Sequence, residues 1–242
     1  MKEKNKIGNI YRKDTTEAYN KTFGDEIERS TELDRFFLDL IPGSLEGKVA
    51  LDLGAGNGRY SELLHQRGAE RVISFDLSDA MLEQVNIRKT QKQLARIEIM
   101  KGDLEQLPFE EKKIDYILSR FSLMYTNNLS GLIDRLGQIL SDNGEVLIQA
   151  NYATFLNGAN PQKEKEPVPL VLKIGDNCVS IKNFPNTLDD YHTAFQKAGF
   201  CVANTLHHPA LELSVDECYP HAKSIEFRYI VFHLRKKIET SR

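Results

Sequence analysis

Val49-Ala-Leu-Asp-Leu-Gly-Ala-Gly-Asn-Gly58 is the stretch on which the reading of this chain turns. Its first half, with Lys48 before it, runs to Leu53 as a short apolar run of the kind that forms a buried parallel strand. Its second half places glycines at 54, 56 and 58, and a helical pattern then runs from Arg59 to Arg67 with Leu63 and Leu64 on one face. Bare backbone turns tightly and lets a ligand approach without a Cβ in the way, and a helix N-terminus offers free N–H groups. A dinucleotide fingerprint needs Gly-x-Gly-x-x-Gly, and its last position is here Arg59. Asp52, two residues before Gly54, would repel a pyrophosphate and suits a cationic group such as an α-ammonium.

Working outward, strand and helix patterns alternate. Strands are predicted at Arg71 to Phe75, Ile97 to Met100, Ile114 to Ser119 and Glu145 to Gln149. A helix capped by Ser78 is predicted through Gln93, and another from Leu129 to Leu140, where Leu132, Ile133, Leu136 and Ile139 recur at helical spacing. Asp142-Asn-Gly144 is expected to turn the chain into the last of these strands. Such alternation means βαβ units and a parallel sheet covered on both faces. Upstream, Thr15 to Leu40 reads as one helix stopped by Pro42-Gly43.

The last third reads differently. Asn157 to Pro169 carries three prolines and is expected to be neither a central strand nor a helix interior. Val168 to Ile174 and Cys178 to Ile181 are expected to pair as a hairpin. Thr187 and Asp190 form a capping box for a helix that ends at Ala198, with Gly199 as its cap. Cys201 to Leu206 and Glu226 to Arg235 read as strands. The second has large apolar groups on both faces and should be well covered.

Asp52, Asp76 and Asp103 fall at the carboxyl ends of three successive predicted strands, where ligands bind in open α/β sheets. Asp76 stands about 20 residues beyond the glycines, where an acidic side chain commonly holds a ribose diol. Each aspartate could instead cap the helix that follows it; three aligned with this turn favour a binding site.

With these residues in view, LDLGAGNGRYS resembles motif I of the class I S-adenosylmethionine-dependent methyltransferases. FDLSDAML (75–82), GDLEQLPF (102–109) and IDYILSRFSLMY (114–125) are similar to the family's later motifs, in the same order. The style is that of the small-molecule branch that includes the ubiquinone-type enzymes. The fold then expected is α/β: a doubly wound, Rossmann-like, mostly parallel seven-stranded sheet. It would have an antiparallel C-terminal strand, an N-terminal helical lid and a small inserted β-hairpin. All 242 residues would form one domain: lid 1–45, cofactor core 46–155, insert and substrate side 156–225, last strand and tail 226–242.

The resemblance implies S-adenosylmethionine as cofactor and assigns residues to it. Asp52 and Gly54 would hold the methionine end, with Gly56 and Asn57 lining the turn. Asp76 would bind the ribose hydroxyls, with Leu77 against the adenine and Met81 close by. Gly102, Asp103 and Leu104 would serve the adenine edge, Arg120 would line the methionine side, and Tyr19 would reach in from the lid. Met124 stands where relatives often have histidine, and Asn143-Gly144 replaces their Gly-Gly.

Methyl transfer from a sulfonium needs positioning more than an acid–base dyad, so no catalytic residue is assigned. Acceptor-side candidates are Tyr11, Tyr125, His207, His208 and His221. His207 and His208 are adjacent and would face opposite ways in a strand. The net charge of −3 argues against a nucleic-acid partner. The three cysteines lack a Cys-x-x-Cys pair, so neither a disulfide framework nor a bound metal is expected, and a cytoplasmic setting fits. No apolar run approaches the roughly 18 residues of a membrane span. The reading is therefore transfer to an N or O atom of a small-molecule acceptor. Two alternatives stand beside it: a methyltransferase acting on tRNA or protein, and a non-catalytic adenosylmethionine-binding module. The sequence names neither the acceptor nor the oligomeric state.

Overall fold

The computed structural model describes residues 15–17, 19–20, 27, 31–156, 166–174, 177–208 and 225–237. Nine strands occur among them: β1 (Val49–Leu53), β2 (Arg71–Asp76), β3 (Ile97–Lys101), β4 (Ile114–Arg120), β5 (Leu140–Phe155), β6 (Val168–Ile174), β7 (Asn177–Asn183), β8 (Phe200–His207) and β9 (Ile225–Lys236). The helices are α1 (Glu32–Asp39), α2 (Arg59–Gln66), α3 (Asp79–Gln91), α4 (Leu129–Ile139) and α5 (Leu188–Lys197). Seven strands form one sheet in the order β3-β2-β1-β4-β5-β9-β8, and β6 pairs with β7 in a separate hairpin. Only β9 runs against the others, antiparallel to both β5 and β8. This is the expected doubly wound sheet. Its antiparallel strand is interior, as the two apolar faces of Glu226 to Arg235 require.

Strand alternation sends side chains to two cores. Leu51, Leu53, Ile73, Phe75 and Ile148 meet Leu132, Ile133 and Leu136 of α4 and Tyr191 and Phe195 of α5. On the opposite face Ala50, Val72, Leu118 and Leu147 meet Phe37 of α1, Tyr60 and Leu64 of α2, and Val85 of α3. Each fully buried large apolar side chain contributes about 1.5–3 kcal/mol, so the helix stripes fix which face each helix covers.

Two expectations change. The single helix from Thr15 to Leu40 is interrupted: residues 15–17 and 19–20 are helical, but Thr31 is extended (φ −101°) and starts a new helix. Its hydroxyl accepts from the Asp34 N–H at 3.0 Å while Asp34 Oδ2 accepts from the Thr31 N–H at 3.2 Å, a reciprocal capping box. The turn at Asp142 to Gly144 becomes an irregularity within β5, between the pairs Ile114↔Leu140 and Tyr116↔Glu145. β5 also continues to Phe155, well past Gln149, because β9 pairs with it from Glu145↔Arg235 to Phe155↔Ile225.

Candidate functional site

The glycine turn caps the carboxyl end of β1. Gly54 and Ala55 both donate their N–H to the Phe75 carbonyl, at 2.8 and 3.0 Å. Gly54, Gly56 and Gly58 all adopt positive φ (78°, 53° and 80°), which L side chains rarely take. They differ in surroundings. A Cβ on Gly54 would collide with Ser122, and one on Gly58 would press on Val85, but one on Gly56 would meet nothing within 4 Å. Two glycines thus let elements pack, and the third keeps a face of backbone open.

Asp76 lies across from that face. Its Oδ2 accepts the Gly56 N–H at 2.9 Å and its Oδ1 the Ser78 N–H at 2.9 Å. Burial pushes its carboxyl above the ordinary range, against the pull of these N–H groups. Asp52 is buried beneath the turn, 2% exposed. Its Oδ2 accepts from the Ser61 hydroxyl at 2.6 Å, which accepts from Ser74 at 2.6 Å. Burial, reinforced by the charge of Asp76 and opposed by Ser61, raises Asp52 to about 7. The charge of Asp76 thus reaches Asp52 beneath the same turn.

Asp103 sits just beyond β3, half-buried, accepting the Glu105 N–H at 3.0 Å. Leu104 packs on the core, Leu77 is half-buried, and Met81 is buried with its N–H on the Ser78 hydroxyl at 3.2 Å. Gly102 donates to the Asp76 carbonyl at 3.0 Å, and a Cβ there would collide with the Phe75 ring. The Phe75 ring therefore leaves no room for a side chain at Gly102.

The N-terminal segment reaches the turn through a residue that sequence reading missed. Asn57 is buried and donates to Asn20 Oδ1 at 3.0 Å, and Asn20 donates to Gln84 on α3 at 2.8 Å. Tyr19, beside it, is half-buried. Arg120 stands at the end of β4, where its guanidinium donates to Asp34 of α1 at 2.7 Å and to Gln149 at 2.7 Å. Phe121 follows with φ 53°, an uncommon conformation for a bulky residue that costs about 1–3 kcal/mol. Its ring lies 4.9 Å from that of Tyr229.

The acceptor-side candidates scatter. Tyr125 is half-buried in a short 3₁₀ turn, Leu123–Tyr125, above β4. His207, at the end of β8, is exposed with its ring edge-on to Tyr152, on the sheet face opposite Arg120. Burial and the nearby His192 lower its pKa. The backbone N–H of His208 donates to the Tyr229 carbonyl at 3.0 Å. Tyr11 and His221 lie outside the described residues. Asn151, Asn183 and Ser122 were not anticipated. The only signal for Ser122 was its spacing from Ser119; both hydroxyls donate to the Leu53 carbonyl, at 2.9 and 3.0 Å.

Residues 51–148 match the family described as Methyltransferase domain. An uncharacterized protein of Haemophilus influenzae is 33% identical over 153 residues, covering 61% of this chain and 59% of that protein. A demethylmenaquinone methyltransferase of Oceanobacillus iheyensis is 30% identical over 115 residues, covering 46% and 48%. Among solved structures, the [4+2]-cyclase SpnF superposes with a TM-score of 0.68 at 13% identity, covering 96% of this chain and 95% of that one. Geranyl diphosphate C-methyltransferase from Streptomyces coelicolor, solved with Mg2+, geranyl diphosphate and S-adenosyl-L-homocysteine, gives 0.61 at 15% identity, covering 84% and 77%. These structures share the fold. The chain spans 59% or less of the length of eight curated relatives it matches. No helix among the described residues is long and apolar enough to cross a membrane.

Proposed function

We propose that this chain, a class I S-adenosylmethionine-dependent methyltransferase by its fold and by the domain match over residues 51–148, methylates a small-molecule acceptor. The observation that carries the proposal is the open backbone of Gly56 with the Asp76 carboxylate across from it. A bare turn facing a carboxylate fits a nucleoside whose ribose hydroxyls need an acceptor. Asp52 lies beneath the same turn, where a buried carboxylate complements an ammonium. Leu77 and Leu104 offer apolar surface to an adenine, and Asp103 an acceptor for its amino group.

When bound, adenosylmethionine supplies a methyl group already activated on a sulfonium. The chain's own task is to bind, orient and exclude water, and the links from the 15–20 segment to Asn57 and from α1 to Arg120 draw both N-terminal elements over the sheet's carboxyl edge. The sequence alone pointed to an N or O atom as the acceptor. The C-methyltransferase among proteins of like fold adds carbon to the chemistries in play. A second reading, small-molecule chemistry without net methyl transfer, is favoured by the likeness to a [4+2]-cyclase over nearly the whole chain.

Calorimetry with adenosylmethionine and adenosylhomocysteine tests the cofactor site. Incubation with methyl-labelled cofactor and a metabolite extract then tests transfer. Binding followed by labelled product supports the proposal; absence of binding overturns it, and binding without any adenosylhomocysteine formed favours the second reading.

A further inference from the structure

We infer that the side-chain amides of Asn151 and Asn183 are the acceptor-recognition site, and that they take an uncharged flat molecule presenting a hydrogen-bond donor beside an acceptor, as a carboxamide does. Asn151 is 1% and Asn183 0% exposed. One hydrogen bond of 3.1 Å joins them, from Asn151 Nδ2 to Asn183 Oδ1. Asn151 Oδ1 and Asn183 Nδ2 have no hydrogen-bond partner among the described residues. Flipping both amides preserves the count: one acceptor and one donor remain unpaired. A buried amide rarely stays half-satisfied, because each unmade bond costs about 1–3 kcal/mol.

The pair is linked to the glycine turn through a short chain of contacts. Ser122, against which Gly54 packs, begins the turn Leu123–Tyr125. The Met124 carbonyl accepts the Phe184 N–H at 2.9 Å, which fixes Asn183 beside that turn. Asn151 shares a sheet face with Gln149, two residues away, and with Tyr229, its directly opposite partner in β9. Tyr229 and Phe121 thereby set an aromatic wall on the amides' side of the sheet. The Nδ2 of Asn186 is a further buried donor at this end without a partner among the described residues, and the Asn186 carbonyl accepts the Ala153 N–H at 2.8 Å.

Charge decides the class of ligand. Among the described residues, Arg120 is a cation on this face, and it is matched by Asp34 at 2.7 Å. Among the described residues the amides offer neutral dipoles, and burying a charged head group against them is costly. A neutral donor–acceptor group satisfies both amides at once, with its ring against Phe121 and Tyr229.

This inference rests on the methyl-transfer reading for its purpose, but its test does not. Benzamide, benzoate and benzylamine share one ring and differ in head-group charge. Each is titrated into the full chain by saturation-transfer NMR, with and without adenosylhomocysteine. Benzamide is expected to bind at least about tenfold more tightly than either charged probe. Asn151→Leu and Asn183→Leu should erase that preference without lowering the melting temperature. Asn183→Asp, which keeps the shape and adds a charge, should move it toward benzylamine. Equal binding of the three probes, or a preference that survives these substitutions, overturns the inference. So does a lowered melting temperature in both leucine variants, since it would make the amides a water-bridged structural pair. Absence of adenosylhomocysteine binding would count against the cofactor reading alone.

Discussion

The guanidinium of Arg120 lies 2.7 Å from the carboxylate of Asp34, with the two side chains 9% and 7% exposed. This pair ties α1 to the end of β4, and the same Asp34 closes the capping box with Thr31. Burial alone would raise its pKa, but the Thr31 hydroxyl and Arg120 outweigh it and hold the carboxyl below the ordinary range. The stabilisation is thus fully present above about pH 4 and is lost as pH falls through the depressed folded value. Arg120→Leu strands a buried carboxylate, and about 3 kcal/mol of unfolding free energy should be lost at pH 7. Adding Asp34→Asn should restore at least half, since asparagine removes the stranded charge and can still cap. Urea unfolding of the three proteins checks this; a double variant as unstable as the single would refute the account.

Asp76 gathers the N–H groups of Gly56 and Ser78 and offers its carboxylate to the open side of the turn. Asp76→Ala removes a charged acceptor, so adenosylmethionine affinity should fall by about 1.5–3 kcal/mol, or about 10- to 150-fold. Calorimetry reads the change directly. An affinity within twofold of the original would show that the ribose is held elsewhere.

The βαβ order was legible because it rests on two periodicities and on glycine, all local in sequence. Ser78, Thr187 and Asp190 were equally legible as caps, since a cap is a contact between near neighbours. The break at Thr31 carried the same kind of signal in Thr31-Glu-Leu-Asp34, but the apolar cluster of Phe36 and Phe37 drew the helix through it. What stayed hidden depends on contacts distant in the chain. β5 runs to Phe155 only because β9 pairs with it, and Asn20 acquires a role only where the fold brings it to Asn57 and Gln84. Asn151 and Asn183 are ordinary polar residues in sequence. Their burial, 32 positions apart, is a tertiary fact.

The carboxyl of Asp52, raised to about 7, makes stability and cofactor binding depend on pH. The folded protein holds this proton more tightly than the unfolded chain, whose aspartate titrates at about 3.9. The contribution is therefore complete below about pH 4 and is lost as pH rises through 7. Asp52→Asn, still able to accept from Ser61, should flatten that slope in unfolding experiments. If the cofactor's ammonium settles near Asp52, binding at pH 6 should release a proton. Calorimetry in buffers of different ionisation enthalpy should detect the release in the original protein and not in Asp52→Asn. Equal proton release from both would place the ammonium away from Asp52.

Gly56 and Gly102 differ in what surrounds them. A Cβ on Gly56 meets nothing within 4 Å but must adopt a φ of 53°, whereas one on Gly102 collides with the Phe75 ring. Gly56→Ala should therefore cost only the left-handed conformation, about 1–2 kcal/mol. It should weaken adenosylmethionine more than tenfold, because the methyl occupies the space reserved for the ligand. Gly102→Ala should do the reverse, lowering stability by about 2 kcal/mol through overpacking while leaving affinity within a few-fold at temperatures where the protein stays folded. Thermal unfolding and cofactor titration on the two variants decide it. Should Gly102→Ala abolish binding in a fully folded protein, Gly102 touches the cofactor directly, and its contact with Phe75 is not its main constraint.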